Sequence, residues 1–401
     1  METQYRFSTS TKSLHIINRK CLEYNYAKRI QEISSLYQLP KFDCLRLFQN
    51  NTAYLEEAIL RRNNITSDIS DDYYLNVTTD CHDFQLSRGY IMSSLTQEEE
   101  EFPIAYTIMA YKDSEMVERL LRAIYRPQNY YCIHVDLKSS ESFYSAISAI
   151  SQCFPNVFLA SKRIEVIWGL FSVLEPELIC MKELSRYKKW KYFINLTGQM
   201  FPLKTNYQIV KILKAFRGAN SINGTIKYAY PTRWKGKTPP RGIRLLKGSV
   251  HIAANRDFVN YVLHNETAKE FLEWNKDTFV PDETFFSSLN YNPQLGIKGT
   301  YKGDPDDVHE YVARYTIWGS TFKLCAGKFV RGVCILSSGD LPRLGQAKEL
   351  FANKFYLHED RLAIGCLEEK IFNDTRDVYM GVKVVNTSFY ERLNFVQDQV
   401  E

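Results

Sequence analysis

The sequence predicts an α/β protein built on a doubly wound, mostly parallel sheet with flanking helices. Two observations carry that expectation. From Phe102 onwards short apolar runs alternate with segments of helical periodicity, at the spacing that βαβ units need. No internal repeat and no low-complexity tract points to another architecture.

Taken in order, residues 1–100 are polar and Asn-rich and end in the acidic run Glu98–Glu101, which reads as an irregular, stem-like region partly wrapped on the main body. Phe102–Ala110 is a strand, and Glu115–Tyr125 a helix with Met116, Leu120, Leu121 and Ile124 on one face. Tyr130–Val135 is a second strand ending at Asp136, followed by a helix over Ser140–Ile150 and a short strand at Asn156–Ala160. A helix across Leu174–Tyr187 leads to a strand at Lys191–Leu196. Residues 217–247 are rich in Gly and Pro with clustered Arg and Lys, and read as loop. After Gly248-Ser249 come helices near Arg256–Leu263 and Lys269–Lys276, then the turn Val280–Glu283. The main unit spans 101–375, and 376–401 form a C-terminal tail. Ligands of such sheets bind beyond the carboxyl ends of the strands, which makes Met109–Tyr111, Asp136–Lys138 and Gly198–Met200 the expected cleft lining.

Composition excludes several classes. With 51 basic and 46 acidic residues the net charge is only +5, and the basic residues form no stripe, so nucleic acid is not an expected partner. The nine cysteines include no C-x-x-C pair, against structural zinc and dithiol redox chemistry. Buried thiols or a disulfide framework both remain open on that count. Eight N-x-S/T sequons, at Asn50, Asn64, Asn76, Asn195, Asn223, Asn265, Asn373 and Asn386, favour a secretory lumen. Against that, the first twenty residues carry no apolar core of a signal peptide, and no run of about 18 apolar residues occurs.

Among residues that carry chemistry there is no P-loop, G-x-G-x-x-G, G-x-S-x-G or H-E-x-x-H. The nearest D-x-D, Asp304-Pro305-Asp306, lies in a polar segment and reads as solvated loop rather than a metal site. Glu283, just before a short helix at Thr284–Leu289, fits either helix capping or chemistry. Cys325 and Cys334 bracket Arg331 and are placed to close a small loop around it.

Six collinear blocks narrow the choice: EFPIAYTIMAYKDSEMVERLLRAIYRPQNYYCIHVD (101–136), CFPNVFLASK (153–162), WKYFINLTGQMFPLKTN (190–206), EWNKDTFVPDE (273–283), VRGVC with GDL (330–341) and LFANKF (350–355). They resemble the core 2/I-branching β-1,6-N-acetylglucosaminyltransferase family, over about residues 70–370, as a divergent member. The resemblance implies a GT-A-like Rossmann-type catalytic domain at 101–375 and UDP-N-acetylglucosamine as donor, with inversion at the anomeric carbon and no metal or other cofactor. It implies an O-glycan acceptor containing Gal or GalNAc, a β-1,6 branch as product, and the Golgi lumen as location, with any membrane contact made through an anchor that these residues do not supply. On matching positions Glu283 is the general base. Arg331 and Lys354 stabilise the leaving UDP in a metal's stead, and Met109, Ala110, Tyr111, Asp136, Leu137, Lys138 and Trp168 complete the donor site. Trp168 stands where relatives carry Tyr. Arg233 and Trp318 are the implied acceptor residues.

The resemblance further implies the disulfides Cys44–Cys366, Cys81–Cys153, Cys132–Cys180 and Cys325–Cys334, with Cys21 left over. Thr197 stands where relatives have a free cysteine, and the sequon that it gives Asn195 falls at a buried strand end. Departures gather on the acceptor side: Asn223-Gly224-Thr225 lacks an acidic residue, Tyr230 replaces a lysine, and Ser320 a tyrosine. Met200 replaces an acidic residue and His251 an aromatic one. The altered acceptor side motivates one alternative, a weak or inactive homologue that binds UDP or glycan; a xylosyltransferase-like relative of the same wider fold family, with another donor, is a second.

Overall fold

The computed structural model describes residues 26–61, 69–307, 310–320 and 324–401. Cys21 and the sequon at Asn64 lie outside them. The central sheet has six strands in the order β3-β2-β1-β4-β7-β6. Strands β1 (Ile104–Ala110), β2 (Tyr130–Val135), β3 (Val157–Leu159) and β4 (Tyr192–Thr197) are mutually parallel. Crossover helices α1 (Ser114–Ile124), α2 (Glu141–Gln152) and α3 (Glu175–Leu184) link them. Both faces of this half are covered, so β1, β2 and β4 are nearly continuous apolar runs, the pattern of a parallel sheet.

The other half departs from the sequence expectation. Part of the loop-rich stretch 217–247 forms β6 (Ser221–Thr225), and β7 (Lys247–Asn255) occupies the segment through Gly248-Ser249. β7 is antiparallel to β4, and β6 antiparallel to β7, so the sheet is mixed. Gly248 explains the misleading local signal. A Cβ there would sit 1.7 Å from Ser287 Oγ, because α7 (Phe285–Asn290) packs directly on the strand. The helices predicted next are present as α5 (Arg256–His264) and α6 (Glu266–Asn275). A small second sheet joins β5 (Met200–Pro202), β11 (Phe351–Asn353) and β8 (Arg314–Tyr315). A hairpin pairs β9 (Lys328–Val330) with β10 (Val333–Ile335).

The segment read as irregular before Phe102 is in fact largely helical where it is described, with helices at Cys44–Phe48, Thr52–Arg61, Asp71–Val77 and Cys81–Ser87. It is bound to the α/β unit by Tyr74 and Phe84 in the main core and by the ion pair of Arg88 with the buried Glu118 at 2.6 Å. Within that unit Arg119 and Arg122 of α1 share Glu368 on α8 (Arg361–Tyr379) at 2.7 and 2.6 Å. Past that helix, Tyr390, Leu393, Phe395 and Val396 return to the main core. All four disulfides that the resemblance implies are formed, with Cα separations of 5.3, 5.0, 5.6 and 5.8 Å, within ordinary disulfide geometry. None of the described helices is long and apolar enough to cross a membrane.

Candidate active site

A cavity of about 200 Å³ opens where β1, β2 and β4 end. Its wall includes Met109, Ala110 and Tyr111 from β1 and the residue after it, Asp136 after β2, and Thr197, Gly198 and Gln199 after β4. These are three of the strand ends at which a parallel sheet exposes side chains and unpaired backbone to a ligand. Lys138 sits at the rim, its backbone N–H donating to Asp136 at 2.9 Å and its Nζ to the Val166 carbonyl. Leu137 is exposed, and Trp168 stacks edge-on against Phe279 at 5.3 Å, outside the cavity lining.

Sequence reasoning missed three polar groups of this wall. Lys112 follows the predicted strand end by one residue and is the easiest to have found. His134 accepts a hydrogen bond from the Ile164 N–H at 2.9 Å, and burial lowers its pKa to about 4, so it is neutral at physiological pH. Glu177 on α3 accepts from the Thr107 hydroxyl at 2.7 Å, and burial pushes its carboxyl up to about 7. No local pattern marks the last two; only the fold turns them towards the cavity.

One side of the opening is cationic. The Arg331-Gly332 turn of the β9–β10 hairpin has φ of +52° and +75°, the doubly positive pair of a tight hairpin. Cys325–Cys334 and the backbone bonds Cys334 N–H to Ile317 and Gly319 N–H to Gly332 (both 2.9 Å) fix it. Lys354, just after β11, donates to the Val330 carbonyl at 3.4 Å, which brings it beside Arg331. Burial, Arg331 and Lys112 all hold the Lys354 ammonium below its ordinary pKa. The Lys112 ammonium stands 4.6 Å from the Tyr356 ring centre. Lys112 on the cavity wall thus stands in one cationic group with Lys354 and Arg331, and among the described residues no carboxylate is bonded to Arg331 or Lys354.

Glu283 is not part of the cavity lining; it stands at the end of the 3-10 turn Pro281–Glu283, next to Asp282, which is within electrostatic reach of the wall residue Glu177. Val280, which enters that turn, has φ +54°, a costly conformation for a β-branched residue. It is held there from both flanks. Val280 N–H donates to Gly169 and Phe279 N–H to Arg233, each at 2.9 Å, and the Asn275 side chain donates to the Pro281 carbonyl at 2.9 Å. Gly169, itself at φ +83°, has no room for a Cβ, which would lie 2.4 Å from Phe279. The Glu283 carboxylate pairs with Arg233 at 2.5 Å, and Trp234 Nε1 donates to Thr284 at 3.1 Å. Asp282 faces inward. Burial first, then the neighbouring Glu283 charge, raise its pKa to about 7. Arg314 on β8 is half-buried and within electrostatic reach of Glu283, and its guanidinium lies 6.0 Å from the Trp318 ring.

The D-x-D is placed elsewhere. Asp306 caps the chain after β6, accepting from the Thr225 hydroxyl and from the Ile226 and Lys227 N–H groups at 3.2 and 3.0 Å, while Asp304 accepts from Asp306 N–H at 2.9 Å. Both serve loop geometry. Asn195 is buried between β4 and β7, donating to Val250 and accepting from Ile252 N–H at 2.7 Å each, so its sequon is closed to a glycan.

Comparison with known proteins shows the family. Residues 104–345 match the family model of the core-2/I-branching enzymes. A human β-1,3-galactosyl-O-glycosyl-glycoprotein β-1,6-N-acetylglucosaminyltransferase is 40% identical over 329 residues, covering 75% of this chain and 77% of its own. A second human enzyme of that name, numbered 3, is 37% identical over 75% of each chain. A counterpart from Bovine herpesvirus 4 is 38% identical, again over 75% of each. With the strand-end cavity, the cationic hairpin and the turn that carries Glu283 all inside or next to the matched region, this chain belongs to the core-2/I-branching enzyme family.

Proposed function

We propose that the protein transfers N-acetylglucosamine from UDP-N-acetylglucosamine to the 6-hydroxyl of a Gal- or GalNAc-containing O-glycan, with inversion and without a metal. The relatives' printed activity supports the sugar and the linkage. One arrangement supports the mechanism: Lys112 on the cavity wall is within electrostatic reach of Lys354, which lies beside Arg331, while the wall residue Glu177 is within electrostatic reach of Asp282, the neighbour of the Arg233-bound carboxylate Glu283. In this reading Glu283 takes the proton of the acceptor hydroxyl as its oxygen attacks the anomeric carbon. The bond from that carbon to the diphosphate breaks on the opposite face, and the negative charge passing to UDP is met by Arg331 and Lys354. Arg233 holds Glu283 through Oε2, which leaves Oε1 for the acceptor. Four disulfides support work in an oxidising lumen such as the Golgi.

The test is to incubate the protein with labelled UDP-N-acetylglucosamine and a core 1 disaccharide, with and without EDTA. Transfer should survive EDTA and vanish in Glu283→Gln. UDP binding without transfer to any Gal or GalNAc acceptor overturns the enzymatic reading, and a strict need for Mn²⁺ overturns the role given to Arg331 and Lys354.

A further inference from the structure

Far from the cleft, the start of α4 (Asn206–Ala215), residues 345–348 and the returning segment 384–392 enclose a second cavity, of about 670 Å³. Three cationic side chains, Lys204, Lys348 and Arg392, line it, together with Gln208, Asn386 and Ser388, and no carboxylate does. Lys204 is half-buried and its Nζ has a neutral partner, the Ala347 carbonyl at 2.5 Å. Lys348 turns its ammonium over the Phe389 ring at 5.4 Å. Arg392 spends one N–H on the Ser388 carbonyl at 3.0 Å. The acids nearby are weak counterweights. Asp374 is already shared between Lys370 and Lys383, the latter at 2.6 Å, and Glu349 stands outside the lining.

A half-buried ammonium bonded, among the described residues, to a carbonyl alone is poorly compensated, and its energy falls when an anion enters. Burial and the charges of Lys370 and Lys348 together lower the Lys204 pKa to about 8, the response of an undercompensated cation. The room is ample for one or two sugar rings, and Phe389 with Tyr390 gives an aromatic wall beside the charges. The geometry points to a second binding site here, for an oxyanion group such as the carboxylate or sulfate of an acidic sugar, or a free phosphate or sulfate. It does not depend on the transferase reading, because no residue of the cleft takes part.

Binding is measured by calorimetry and thermal unfolding on the whole chain, with 3′-sialyllactose, 3′-sulfated lactose, inorganic sulfate, inorganic phosphate and neutral lactose. Each titration is repeated with Arg331→Ala and Lys354→Ala combined, so that anions drawn to the cleft are counted separately. At saturating ligand the unfolding midpoint should rise by roughly 2–5 °C in both backgrounds. The rise should be absent with lactose, and binding roughly tenfold or more weaker in Lys204→Met. Lys348→Met and Arg392→Gln, which alter exposed side chains, should weaken it in the same direction and guard against misfolding of the first variant. A response to the acidic sugars alone identifies an acidic-glycan site, and a response to sulfate or phosphate as strong as theirs identifies a free-oxyanion site. Equal responses of all three variants and the parent protein, or loss of every response in the Arg331→Ala, Lys354→Ala background, overturn the inference.

Discussion

The two halves of the central sheet build the cleft in different ways. On the parallel side, β1, β2 and β4 run through a continuous core, and the groups they present stand on strand ends held by pairing on both sides. On the antiparallel side, Glu283 and Arg233 stand on loops and short 3-10 turns. Their positions rest on a strained Val280, the close-packed Gly169 and a web of backbone bonds. Rigid strands suit a donor whose nucleotide is constant. Loops on a fixed scaffold suit an acceptor that differs between relatives.

The strongest test of that division is Glu283→Gln. Turnover should fall on the order of 10³-fold, since the amide cannot take the acceptor proton. UDP affinity should stay within about twofold, because the donor groups stand on other elements. Product formation and UDP calorimetry on the same sample decide it; a parallel loss of UDP binding breaks the division. Next in size, Arg331→Ala or Lys354→Ala should lower kcat on the order of 10²-fold and weaken UDP binding, with the acceptor KM little changed. A rise in acceptor KM instead would place these cations on the wrong side. Smaller again, Arg233→Ala should raise the acceptor KM about tenfold and leave UDP affinity alone. Its removal also frees Glu283 from the 2.5 Å pair, so a variant with unchanged KM would mean that the pair is only structural.

How far the sequence could be read follows the same line. The elements of the parallel half were legible almost residue by residue, because buried strands and amphipathic helices write periodic patterns; Tyr130–Val135 is one example. β6 and β7 were not, since Gly224 and Gly248 look like loop residues until α7 is seen packed against them, and Tyr291 and Ser287 occupy the space their side chains would need. Residue pattern alone left Glu283 between helix capping and chemistry, and the resemblance supplied the choice. The described structure adds its partner Arg233, its neighbour Asp282 and the strained entry through Val280. His134 and Glu177 were invisible for another reason. A single polar residue on a strand or helix carries no periodic signal, and only the crossover that brings α3 over β1 gives Glu177 its place at the cavity wall.

Asp282 offers the gentlest test, since it touches no reacting atom and acts through stability. In the folded chain burial and Glu283 raise its pKa to about 7, against an ordinary value near 3.8. Between those values the folded state keeps a proton that the unfolded state gives up. Stability therefore falls as pH rises from about 4 to about 7, and the loss is complete above that. Glu177 is shifted in the same direction by its own burial, so both carboxyls contribute to one slope. Asn cannot ionise. Asp282→Asn should therefore lose less stability than the parent protein between pH 5 and pH 8, and retain the share due to Glu177. Unfolding midpoints at the two pH values measure it, and identical slopes for both proteins would mean that Asp282 is ionised in the fold. If the slope changes while kcat at pH 7 stays within a few fold, the loop side is held by a buried neutral acid rather than by charge. The turn that presents Glu283 would then be most firmly seated when the carboxyl beside it is protonated.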